Sequence, residues 1–136
     1  MKTFVVDASF VLQAVLSSRD APVKRLYELV SSADRGSIRI IAPSLFVYEI
    51  SNGLRYSVKD IELIETILVK ISQFPIDIQT LSLSHMLEVS RMALANATTV
   101  YDSSYHFLAM LHQGIFLTCD SEYYKKAKDS VNIELL

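Results

Sequence analysis

Two short apolar runs near opposite ends of the chain each stop on an aspartate. Thr3 to Val6 closes at Asp7, and Ile115 to Cys119 closes at Asp120. Brief β-branched and aromatic runs bounded in this way read as buried strands. Each is followed by a helical period: Val11, Leu12, Val15 and Leu16 share a face after Asp7, and a short helix after Asp120 starts with Glu122 and ends with Lys125, Lys126 and Lys128. Acids first and bases last is the sense that the helix dipole favours. The pattern repeats between them. Ile38 to Ala42, the alternating Ile76, Asp77 and Ile78, and Val131 to Leu135 give three more strands. Helices are predicted from Asp20 and Pro22 to near Gly36, from Pro43 and Ser44 through Asn52, and after a capping box of Ser57 and Asp60. Two further helices are predicted, one from a Ser84 cap through Leu94 and one from Asp102 to a C′ residue at Gly114. Strands that alternate with helices require crossovers, and crossovers make a parallel sheet covered on both faces. The expected fold is a three-layer α/β domain spanning residues 1–136, with no repeat or linker.

Several function classes drop out at this point. With 136 residues and 51% hydrophobic content the chain is too apolar to be disordered, and no run reaches the ~18 apolar residues of a membrane span. Met1-Lys2 and the apolar stretch to Leu16 look superficially like a secretory leader, but Asp7 interrupts the middle, and a buried strand fits better. Three dispersed glycines allow neither a P-loop nor a dinucleotide-binding fingerprint. The single Cys119 forbids an internal disulfide or a Cys-based zinc cluster and fits a reducing, cytoplasmic setting. A formal net charge of -2 means that any nucleic-acid binding is local rather than a property of the whole surface.

The acids carry the rest. In open parallel sheets ligands sit outside the carboxyl ends of the strands, where Asp7 and Asp120 both stand. Asp102 at a helix start and Glu49, flanked by Val47, Tyr48 and Ile50, are the other acids whose contexts solvation does not explain. Gathered together, four carboxylates repel: a pair ~4 Å apart at an effective dielectric of ~20 costs roughly 4 kcal/mol. Either the group takes up protons or a divalent cation keeps it ionised. All-oxygen ligands suit Mg²⁺ or Mn²⁺, and such an ion suits phosphodiester hydrolysis.

The residues resemble the PIN-domain nucleases, and among them the VapC-type ribonuclease toxins of toxin-antitoxin pairs. The resemblance runs along the whole chain through VVDAS (Asp7, Ser9), PSLFVYEISNGL (Glu49, Asn52), TTVYDSSYHFLAML (Asp102, Tyr105) and FLTCDSEYYKKA (Thr118, Asp120). It implies a five-stranded parallel sheet, and Mg²⁺ or Mn²⁺ held by Asp7, Glu49, Asp102 and Asp120. It further implies cleavage of single-stranded RNA, a homodimer and a cognate antitoxin of the VapB kind. Ser103 stands where the family often has alanine.

Plainer readings stay open. Asp7, Asp102 and Asp120 suit helix N-termini as caps or first-turn acids. Glu49 could pair with Arg55 or a lysine. Ser9 and Thr118 could orient the aspartates or be ordinary turn and strand hydroxyls, and Asn52, one turn from Glu49, is similar. His106, four residues after Asp102, could reach the site, although a hard cation does not call for imidazole. Tyr101, Tyr105, Tyr123 and Tyr124 could stack on bases or pack in the core. Lys125, Lys126 and Lys128, with Arg55 and Lys59, are the candidate phosphate contacts. Cys119 reads as a buried strand residue. A receiver domain would need an acidic pair after the first strand, and a haloacid-dehalogenase phosphatase an Asp where Ser9 sits, so both lose on residues. The remaining alternative is a PIN fold that serves as a non-catalytic binding or assembly module.

Overall fold

The computed structural model describes residues 1–17, 20–127 and 131–136, and its first strand is the innermost. The strands are β1 (Lys2–Val6), β2 (Ile38–Pro43), β3 (Ile76–Gln79), β4 (Ile115–Thr118) and β5 (Ile133–Leu135). They form one parallel sheet in the order β3-β2-β1-β4-β5. Phe4, Val5 and Val6 are all buried, as a strand flanked by neighbours and covered on both faces requires. β3 lies at an edge, and its Asp77 and Ile78 are exposed; Asp77 is met across the strand pair by Arg39 at 2.7 Å. Lys128, one of the candidate phosphate contacts, lies outside the described residues.

Seven helices connect the strands: α1 (Ala8–Leu16), α2 (Asp20–Asp34), α3 (Leu45–Ser57), α4 (Ile61–Ser72), α5 (Leu83–Asn96), α6 (Val100–Leu111) and α7 (Ser121–Lys126). α6 lies against β1, β2 and β4 with α5 packed on it, while α1, α2 and α3 pack together to form the other layer with α4 beyond α3. One continuous core joins the layers, from Phe10, Leu29 and Leu54 through Val5 and Ile41 to Tyr105, Leu108 and Phe116.

Four helix ends differ from the sequence expectation: α6 starts at Val100 under a Thr99 cap rather than at Asp102, and at the other three the caps compete locally. Ser57 is the last residue of α3, and Asp60 alone caps α4, accepting from the Glu62 N–H. α5 starts at Ser82 rather than Ser84, because Ser82 accepts from the His85 N–H while its own N–H donates to His85 Nδ1, a reciprocal pair that Ser84 cannot make. At the end of α6 the left-handed position is Gln113 (φ 53°), not Gly114. Gln113 N–H donates to the Met110 carbonyl and Gly114 N–H to that of Ala109, the paired bonds of a Schellman ending. The glycine is needed one residue later for a different reason. A Cβ on Gly114 would lie 2.5 Å from the Thr3 carbonyl oxygen, where the chain turns in to lay β4 beside β1.

Gly114→Ala is therefore expected to lower stability in urea denaturation by about 1–3 kcal/mol, the usual range for overpacking. Gln113→Gly, at the truly left-handed position, is expected to leave stability unchanged or raise it by up to about 1 kcal/mol.

Candidate active site

β1 has β2 on one side and β4 on the other, and the chain winds outward from β1 in both directions. The crevice between the carboxyl ends of β1 and β4 is thus the switch point of the sheet, the usual ligand position in such folds. Asp7 ends β1 there. Its Oδ1 accepts from the Phe10 N–H and the Ser9 hydroxyl, both at 2.8 Å, and its Oδ2 accepts from the Thr118 hydroxyl at 2.6 Å. The residue is 7% exposed. Burial is the largest influence on it and pushes its pKa up to about 6, against the opposing pull of the Thr118, Phe10 and Ser9 donors and with some help from Glu49.

Across the crevice, Thr118 is fully buried and uses its oxygen twice, donating to Asp7 and accepting from the Asp120 N–H at 3.0 Å. Asp120 caps α7 through Oδ1, which accepts from the Tyr123 N–H. Asp102 sits in the first turn of α6, its own N–H donating to the Thr99 cap. Its pKa is raised by burial and then by Asp120, with Thr99 and Lys126 acting against. Glu49 projects from α3 and accepts a 2.5 Å hydrogen bond from the Tyr105 hydroxyl of α6. Its pKa is also raised, by burial first, then by Asp102 against the Tyr105 bond.

Three of the acids therefore feel another: Asp7 feels Glu49, Glu49 feels Asp102, and Asp102 feels Asp120. Four elements remote in sequence bring these charges to one edge. Among the described residues none of the four forms an ion pair, and Arg55 lies over the Tyr56 ring instead of on Glu49. Lys126 is the nearest cation in effect. It shares a cleft of about 370 Å³ with Thr99, Asp102, Asp120 and Glu122, and its ammonium donates to the Ala97 carbonyl. A second cleft, about 580 Å³, is lined by Leu45, Tyr48, Glu49, Ser51, Asn52 and Tyr101. Asn52 so opens onto the same space as Glu49, while Ser9 and Thr118 both bond Asp7.

The plainer readings are partly met as well. Asp7 and Asp120 are helix caps, and being a cap leaves oxygens over: among the described residues Asp120 Oδ2 and Glu49 Oε2 accept no hydrogen bond. His106 turns away from the acids and into the core, where its ring bonds Tyr123 and the Val131 carbonyl. Its pKa is lowered by burial. Spacing did not single out the Tyr105 bond to Glu49, although Tyr105 lies one helical turn after Asp102.

As a cation site the edge offers the right donors in an open arrangement. Among the described residues no three Asp, Glu, His or Cys side chains stand together as a ready-formed metal site. The chemistry of the four acids nonetheless fits a hard divalent ion, because all are oxygen donors, Asp7, Glu49 and Asp102 are each disfavoured as anions by a neighbouring acid, and among the described residues none of the four forms an ion pair.

The architecture has clear counterparts among solved structures. VapBC2 from Rickettsia felis, crystallised with a DNA fragment from its promoter, matches over 98% of this chain and 97% of that one, at 16% identity and TM-score 0.69. DNA-bound VapBC from Salmonella typhimurium matches over 100% and 98%, at 15% identity and TM-score 0.67. The chain has the PIN-like α/β fold of these VapBC structures. PAE2754 from Pyrobaculum aerophilum shares this PIN-like architecture at 25% identity and TM-score 0.62, over 96% of this chain and 90% of that one. No protein-family model matches the sequence, and no curated protein matches it either. Among the described residues of this PIN fold, no helix is long and apolar enough to cross a membrane.

The raised pKa of Asp7 fixes a pH dependence. The folded state holds this proton more tightly than the unfolded chain, so the associated stability is full below pH 3.8 and is lost as the pH rises through about 6. At ~1.4 kcal/mol per unit this is on the order of 3 kcal/mol. In EDTA, Tm is expected to fall across that window, and Asp7→Asn is expected to reduce the slope, leaving what Glu49 and Asp102, also raised, contribute. An identical slope in the variant removes Asp7 as its source.

Proposed function

We propose that this chain is a metal-dependent endoribonuclease of the VapC kind, hydrolysing phosphodiester bonds of single-stranded RNA. One observation supports the reading: Asp7, Glu49 and Asp102 each have a pKa raised by burial and by another acid of this edge, and among the described residues neither they nor Asp120 form an ion pair. Asp7, Glu49, Asp102 and Asp120 would hold Mg²⁺ or Mn²⁺. Such a cation, when bound, polarises a phosphoryl oxygen and makes water a better nucleophile at neutral pH. The chain's own part is to fix and flank the carboxylates. Thr118 and Ser9 lock Asp7, and the Thr118 hydroxyl passes the same restraint to the backbone of Asp120. Tyr48 and Tyr101, 73% and 63% exposed, border the Glu49 cleft and offer faces on which unpaired bases can stack. Lys126, beside Asp102 and Asp120, is placed to meet a phosphate.

The PIN fold's neighbours in Rickettsia felis and Salmonella typhimurium are VapBC complexes, which supports a VapB-like antitoxin as partner for this chain too. An apolar groove of about 300 Å³ between α3, α4 and β3, lined by Phe46, Val47, Ile50, Leu68, Ile71 and Phe74, suits an apolar segment of such a protein. Exposed Leu83, Leu87 and Leu94 on α5 suit a homodimer contact. A single cysteine, which leaves no internal disulfide to form, accords with work in the cytoplasm.

The test combines metal and cleavage. Millimolar Mn²⁺ is expected to raise Tm, since saturation at 100 times Kd adds about 2.7 kcal/mol to the folded state. Asp102→Asn and Asp120→Asn, which keep their shapes and the Asp120 cap, are expected to cut cleavage of single-stranded RNA by at least ~100-fold while folding normally. The second reading, a non-catalytic PIN module, draws on the structural work that Asp7 and Asp120 already do as caps and on the open spacing of the acids. It expects a Tm indifferent to Mn²⁺ and no cleavage by the wild type.

A further inference from the structure

Glu49 and Tyr105 are 56 residues apart in sequence and belong to different helices, yet they meet tip to tip, with the phenol hydroxyl donating to Oε1 at 2.5 Å. The two ends of this bond are held very differently. Tyr105 is 2% exposed, and its ring stacks on Phe116 at 5.8 Å between centroids and 10° between planes. A ring packed in this way has one available rotamer. Glu49 is a half-buried side chain on the face of α3 that opens onto a cleft, and among the described residues the Tyr105 bond is its one side-chain restraint. Burial, then Glu49 itself, pushes the phenol's pKa far up, so the hydroxyl stays a proton donor at any working pH. Tyr105 also follows Asp102 by one helical turn. A single turn of α6 therefore presents one acid directly and steadies a second one reaching over from α3.

We propose that Tyr105 is a positioning residue for Glu49: its hydroxyl pins one carboxylate oxygen and so presents the other, Oε2, to a divalent cation shared with Asp102. The assignment rests on the metal reading of this site. A glutamate has three rotatable bonds, and one that is restrained before the ion arrives loses less freedom on binding it. Partners of metal ligands act in this way generally, and their loss typically costs 10–100-fold in affinity.

The experiment is a double-mutant cycle read by calorimetric titration with MnCl₂ on the full chain: wild type, Tyr105→Phe, Glu49→Ala and the double variant. Phe keeps the ring and its stack on Phe116, and the carboxylate it releases can be hydrated from the cleft, so the variant is expected to fold despite losing the bond with the Ala8 backbone, which circular dichroism checks. Tyr105→Phe is expected to weaken Mn²⁺ binding about tenfold. In the Glu49→Ala background the same change is expected to have no further effect, because the hydroxyl then has no carboxylate to position and keeps only its bond with the Ala8 backbone, which is common to both backgrounds. Binding by Tyr105→Phe within twofold of wild type overturns the assignment, and so does an equal weakening in both backgrounds, which marks a general structural role. A wild type that binds no Mn²⁺ overturns the metal reading itself and takes the assignment with it.

Discussion

A single carboxylate ties the two central strands of this protein together at the end where its acids gather. Asp7 accepts from Thr118 across 111 residues of sequence and at the same time caps the helix that follows it. Without those donors an almost fully enclosed carboxyl group would be costly to keep, and even with them burial prevails enough to hold its pKa near 6. The bond also decides where the other acids stand. Parallel strands all end on the same side, so closing β1 against β4 delivers Asp120 beside Asp7, and α6, lying across both strands, brings Asp102 and Tyr105 to the same edge. The repulsion among these groups follows from topology, since a sheet of this order has one switch point and the acids surround it.

Much of this was open to reading before any coordinates. All five strands follow from short apolar runs, and the alternation with helical periods is enough for a parallel sheet. The aspartates at the ends of β1 and β4 stand out because each stops a run. Their two readings, cap or ligand, are compatible: a cap uses one oxygen, and Asp120 Oδ2 remains over. Helix ends were less legible, since serines at 57, 82 and 84 are locally equivalent until His85 closes the reciprocal pair with Ser82. The choice between Gln113 and Gly114 turned on the Thr3 carbonyl, which is more than a hundred residues away in sequence. The partner of Glu49 was beyond reach for a similar reason. Arg55 is close along the helix, whereas Tyr105 arrives only through the packing of α6 beneath the site.

Consecutive residues of α6, both packed on the Phe116 ring, serve different partners. Tyr105 reaches Glu49, and His106, one step on, bonds the Tyr123 hydroxyl at 2.8 Å and the Val131 carbonyl at 3.0 Å. A carbonyl only accepts, so Nε2 carries the proton and Nδ1 accepts from the tyrosine. This imidazole remains neutral, as its lowered pKa also indicates, and it braces α7 and the approach to β5. The histidine that spacing suggested for the site is thus a strut behind Asp120. A spacing of four residues leaves His106 near the face of Asp102, and it is the bonds to Tyr123 and Val131 that turn the ring into the core.

The pairing of β1 with β4 has a consequence for the protein during its own manufacture. Ribosomes release the first strand early, but the partner that completes the centre of the sheet is encoded beyond residue 114. Until that late segment emerges, Asp7 has neither Thr118 to bond nor Asp120 across from it, and the carboxylates remain dispersed on an unfinished polypeptide. The edge is therefore assembled only once residues 115–120 are available to pair with β1, however early its first aspartate is made.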